Sequence, residues 1–170
     1  GLLTATPIIV RSGRGGRAIA LTLTSAGRDL ATVPLRRHSR GTAAQGEYIT
    51  QALHRRLAGS TVDTDCNGKA PDLLLRVTSD HDAFIRAIAE HAISMDGHTT
   101  ITIGDLVAME VEASNPSVTI PNNLTKDRGS GLDRLLFAVL PTHVDHAVRT
   151  LLGATDDHHG LFVINALTLL

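Results

Sequence analysis

Tryptophan is absent from the 170 residues, and Tyr48, Phe84, Phe137 and Phe162 are the only other large aromatic rings. Base-stacking and sugar-stacking surfaces use several aromatic faces, so four scattered rings argue against an RNA or carbohydrate module and leave the core to aliphatic side chains. A single cysteine, Cys66, allows no internal disulfide and favours a reducing intracellular compartment. No apolar run approaches the ~18–20 residues of a spanning helix, so no membrane partner is expected. Neither sign of charge dominates: 16 Lys plus Arg against 17 Asp plus Glu leave a net charge of -1, which gives nucleic-acid binding no support. The segment from Leu2 to Val10 has no basic stretch before it and no long apolar core, unlike an intact signal peptide. Gly1 in place of Met fits a processed, excised or tagged chain.

What is present is patterned apolar sequence of globular character. Pro7 to Arg11 is a short apolar run, and Ile19, Leu21 and Leu23 alternate as in a strand over Arg17 to Thr24, which Ser25 to Arg28 would turn into an antiparallel partner at Asp29 to Leu35. Tyr48, Ile49, Leu53 and Leu57 recur at helical spacing within Thr42 to Leu57. Strands are predicted at Thr61 to Asp65 and Asp72 to Thr78. Ser79-Asp80 then caps a helix over Asp82 to Ile93, striped by Phe84, Ile85, Ile88 and Ala92, with His91 on the stripe. His98 to Glu112 reads as a hairpin about Gly104-Asp105, one sheet face buried through Ile101, Ile103, Val107, Met109 and Val111. Asn115 to Ser130, rich in Pro, Asn and Gly, reads as a long loop. Leu132 to Leu140 and Thr142 to Leu152 read as short helices either side of Pro141, and Leu161 to Leu170 as a buried strand or a helix. The fold class expected is α+β: a mixed, largely antiparallel sheet of hairpins with about four helices, in one domain over 1–170 that has a possible division into 1–66 and 67–170.

Gly13, Gly15 and Gly16 after an apolar run and before Arg17-Ala18-Ile19 make Ile8 to Gly27 resemble the opening of a short-chain dehydrogenase. That resemblance implies a strand, a glycine turn and a helix cradling a dinucleotide, although no Tyr-x-x-x-Lys pair accompanies it. Glu47 on a helix, Asp65 ending a strand and Asp145 further on are similar in order and spacing to the acidic ligands of the ribonuclease H-like fold. This second resemblance implies a two-metal hydrolytic centre, although its first-strand aspartate would fall near Arg11 or Ser12.

Seven of the nine histidines gather in two groups, and the later one, with His143, His146, His158 and His159, suggests a divalent-metal site. His143 and His146 are three apart on one helical face, and Asp157 and His158 follow near the chain's end, with Asp145 and Asp156 as further oxygen donors. Asp80-His81-Asp82 suits a helix N-terminus, and Arg36-Arg37-His38-Ser39-Arg40 a solvated strand edge. Three functions follow as expectations. The first is a non-catalytic structural or assembly subunit, such as a shell or coat component, that self-associates or binds a protein partner, with Leu167, Leu169 and Leu170 as an exposed apolar end. The alternative is a metal-dependent hydrolase using the His/Asp cluster or the Glu47 and Asp65 pair. The third is a nucleotide-binding protein acting through 13–16.

Overall fold

The computed structural model describes residues 3–9, 17–23, 42–62, 70–128 and 132–170. Strand β1 (Leu3–Ile9) pairs antiparallel with β2 (Arg17–Leu23) as a two-stranded sheet. Arg17 onward is therefore a strand, not the helix that the dehydrogenase resemblance requires. The glycines between, and the proposed partner strand Asp29 to Leu35, lie outside the described residues.

Helix α1 (Thr42–Arg56) follows, then β3 (Thr61–Val62), β4 (Leu73–Arg76), helix α2 (Asp82–His91), β5 (Ile93–Ser94) and β6 (Leu106–Glu112). Helix α3 (Pro116–Arg128), β7 (Arg134–Val139), helix α4 (Val144–Ala154) and β8 (Leu161–Asn165) complete the chain. The six strands form one sheet in the order β3-β4-β6-β7-β8-β5. β6, β7 and β8 run parallel, and β3–β4, β4–β6 and β8–β5 pair antiparallel. The architecture is thus α+β, with a mixed six-stranded sheet and four α-helices among the described residues.

Side chains alternate across a strand, so each strand feeds two cores. Val107, Met109, Val111, Leu136, Ala138, Phe162 and Ile164 join Ile49 and Leu53 of α1 and Phe84 and Ile88 of α2 on one face. Ala108, Leu135, Phe137, Val139, Leu161 and Val163 meet Ile120 and Leu124 of α3 and Ala147 and Leu151 of α4 on the other. The run from Leu132 to Leu140 reads as a helix because β7, covered on both faces, shows no polar alternation; the observed element is a strand.

Three further expectations are corrected. Asn115 to Ser130 contains a 13-residue helix. Pro116 stands at its first position, where a missing N–H costs nothing, and the Asn115 side chain accepts from Ser117 N at 3.2 Å. Pro121 removes one rung, and the buried stripe Pro116, Ile120, Leu124 and Asp127 holds the helix down. Nor is His98 to Glu112 a hairpin: Gly104 N donates to Val77 O, and Val77 N to Asp105 O, both at 2.9 Å, so the 101–105 turn closes on the end of β4 while β6 pairs with β4 itself. Finally, Leu167 and Leu169 are buried and Leu170 packs against the core, so the C-terminal leucines are not an exposed apolar end.

α2 begins at Asp82 as the sequence suggests, but a 3-10 turn at Ser79–His81 precedes it and Thr78, not Ser79 or Asp80, caps that turn, its side chain accepting from Asp80 N. His81 is buried; its Nδ1 accepts from Thr78 N at 3.0 Å, which leaves Nε2 protonated to donate to Ala58 O at 2.9 Å. His91 ends α2 exposed beside Glu90 rather than packed on the stripe.

Candidate functional site

The period-two alternation that sends Met109 and Val111 into one core sends Glu110 and Glu112 to the opposite face, beneath α3. Both are buried, at 3% and 4% exposure, and Asp127 of α3 is at 1%. The β4–β6 register pairs Leu73 with Met109, which sets Asp72 beside Glu110. Asp72 Oδ2 accepts from Val111 N at 2.9 Å. From above, α3 lowers Lys126 into the group: its Nζ donates to Glu110 Oε1 at 2.6 Å and to Ala70 O at 3.1 Å, and stands 3.6 Å from Asp127 Oδ1. Asn123 Nδ2 donates to Glu112 Oε1 at 2.8 Å.

Buried carboxylates crowd one ammonium here, and the proton affinities record it. Desolvation, then the charge of Asp72 and the Asp127 carboxyl, push Glu110 up to about 9 against the pull of Lys126. Desolvation also raises Glu112, opposed by hydrogen bonds from Thr119 and Asn123. Burial draws the Lys126 ammonium down, but Glu110, Asp127 and Asp72 outweigh it and its pKa rises. Neither Asp127 oxygen has a hydrogen bond from a fixed N–H or O–H donor.

The four residues expected to bind metal are placed apart. His143 ends the turn before α4, with Nδ1 buried and unpartnered, and His146 Nε2 lies 2.6 Å from Ser117 Oγ of α3. Asp157 is held by Arg128 and by His159 N at 3.1 Å, and the His159 amide and the guanidinium keep its pKa below the ordinary value. His158 is half-buried, its Nε2 unpartnered. Among the described residues no three His, Cys, Asp or Glu side chains stand ready to hold a metal ion. Of the ribonuclease H-like set, Glu47 accepts from Gln51 Nε2 at 2.9 Å, Asp145 is exposed at the start of α4, and Asp65 lies outside the described residues.

Sequence reading passes over Asp72, Glu110, Glu112, Lys126 and Asp127. The available signal is two acids alternating with apolar residues in a strand whose following segment returns to a parallel neighbour. Such a crossover covers the face on which the acids stand. The chain matches no family model, and the comparisons with curated proteins and with solved structures found no match.

Proposed function

We propose that the chain is a divalent-cation-dependent hydrolase acting on a phosphate ester, with its chemistry at Asp72, Glu110 and Lys126. One observation carries this: Glu110 and Asp127, no more than 4% exposed, share a single lysine, and Glu112 is as deeply buried on the same strand as Glu110, in a place where uncompensated negative charge is costly. A divalent cation would relieve that excess, and Asp72, Glu110 and Glu112 are the oxygens that would take it. As the side chains stand, Glu110 is given to Lys126 and Asp72 to the amide of Val111, so a cation would enter by exchange with those contacts. The ammonium of Lys126, anchored by the Ala70 carbonyl, would then face the anionic transition state of phosphoryl transfer, the charge that fixed cations stabilise.

Isothermal titration with Mg²⁺ and Mn²⁺, paired with hydrolysis of bis-p-nitrophenyl phosphate, tests this. Binding and cation-dependent turnover are expected in the wild type, with turnover falling about a hundredfold or more in Glu110→Gln and Lys126→Met. A wild type that binds neither ion and turns over no ester ends the proposal.

The assembly reading keeps one favouring observation: Val118 on α3 and Leu152 on α4 are 59% and 52% exposed, with Ile103 at 62%. Native mass spectrometry before and after chelator separates the two, since a homo-oligomer without bound ion supports assembly and a chelator-sensitive monomer supports the hydrolase.

A further inference from the structure

β6 and β7 run parallel with Glu112 opposite Val139, so both strands end at the same edge of the sheet. From that edge the chain enters α3 at Pro116, and α4 at Val144 through the 3-10 turn Pro141–His143. The first turns of the two helices meet: Ser117 Oγ of α3 lies 2.6 Å from His146 Nε2 of α4. Ser117 is exposed and His146 half-buried, so the pair is open to a molecule arriving from solvent. Among the described residues neither side chain has another hydrogen-bond partner. His81 differs in this, because both of its ring nitrogens are engaged with main chain and neither is left for chemistry.

We propose that Ser117 is an acyl acceptor with His146 as its base, and that this edge of the sheet takes a carboxylic ester. A hydroxyl within hydrogen-bond reach of an imidazole is the arrangement in which the ring, carrying its own proton on Nδ1, can take the hydroxyl proton at Nε2 as the oxygen attacks. The carboxyl ends of parallel strands are also where sheets of this kind hold ligands, between the loops that lead into the crossover helices. There the positive ends of the α3 and α4 dipoles converge, which favours the negative charge that develops on a carbonyl oxygen under attack. In the step, Ser117 Oγ bonds to the carbonyl carbon and its proton passes to His146 Nε2. The bond from that carbon to the ester oxygen then breaks, and the alcohol leaves with the proton returned by the imidazolium. No carboxylate bonds the imidazole among the described residues, so acylation is slow and is read as an adduct rather than as turnover. This inference is independent of the hydrolase proposal, because Ser117 lies about 14 Å along α3 from Lys126 and the step needs no cation.

The test is acetylation of the full chain by p-nitrophenyl acetate with chelator present, quenched in acid and mapped residue by residue by peptide mass spectrometry. Ser79, exposed in the turn before α2 and bonded to no imidazole, is the internal reference. Ser117 should be acetylated at least tenfold faster than Ser79. His146→Gln, which can still hydrogen-bond the hydroxyl but takes up no proton, should bring Ser117 down to about the reference rate. The comparison within the wild type stands even if that variant fails to fold. Equal rates at Ser117 and Ser79, or an unchanged Ser117 rate in a folded His146→Gln, would overturn the proposal and leave the bond as a pin between α3 and α4.

Discussion

Gly160→Ala is the sharpest test of how the α4–β8 connection is built. Gly160 has φ of +69°, and a Cβ there would lie 2.7 Å from the carbonyl oxygen of Asp133. Two costs add. Left-handed backbone with a Cβ costs about 1–2 kcal/mol. The contact falls on main chain, so strand start and turn must separate, and the 2.9 Å bond from Leu135 N to Gly160 O is the one that lengthens, at about 1 kcal/mol or somewhat more. The sum is about 2–4 kcal/mol, and for a chain of this size roughly 4–16 °C in Tm. Gly59→Ala is the control, because Gly59 has φ of +76° but nothing within 4 Å of its Cβ position, leaving only the backbone cost. Thermal unfolding followed by far-ultraviolet circular dichroism on both variants decides. Equal losses would show that the turn does not pack against Asp133 as described.

Leu151→Ala empties a fully buried site between α4 and the sheet and should cost about 2–5 kcal/mol by denaturant titration, with the m-value unchanged. Asp96 accepts from Thr99, through hydroxyl and amide, and from the His98 amide, and these hold its pKa well below the usual carboxylate range. A depressed folded pKa adds stability above the unfolded value of about 4 and loses it as pH falls, so Asp96→Asn should show a shallower acid limb in Tm against pH. Val118→Asp and Leu152→Asp, on exposed positions, should leave Tm within about a degree or two in a monomer. Dissociation of an oligomer by either one in sedimentation velocity would favour the assembly reading.

The elements legible in the sequence are those with one wet face. α1, α2 and α4 announce themselves by a stripe, and β4 by bounded apolar residues. β7 has no wet face, so the run from Leu135 to Val139 carries no periodicity to tell strand from helix. α3 is hidden by composition: two prolines and two asparagines outweigh the stripe Pro116, Ile120, Leu124, Asp127, whose last member is a buried charge. The candidate site is hidden with it, for Glu110 and Glu112 read as solvent-facing until something covers them, and the cover is the segment that reads as a loop. The histidines mislead in the opposite way, because clustering along the chain is not clustering in space: His146 turns to Ser117 of α3 while Asp157 turns to Arg128 at that helix's far end.

α3 is at once the roof over Glu110 and the source of Lys126. Lifting it to admit a molecule would carry the ammonium away from the carboxylates, so from that side the site can be open or complete but never both. Entry without dismantling it is left to the flank, where Ala70 is exposed, Asp72 half-buried and the Lys126 side chain keeps 17% of its surface in solvent. In the proposed hydrolase, that flank is the side on which a substrate would meet Asp72 and Lys126. Under that proposal α3 stays in place during turnover, and selectivity among esters would be set at the flank and not by movement of the helix.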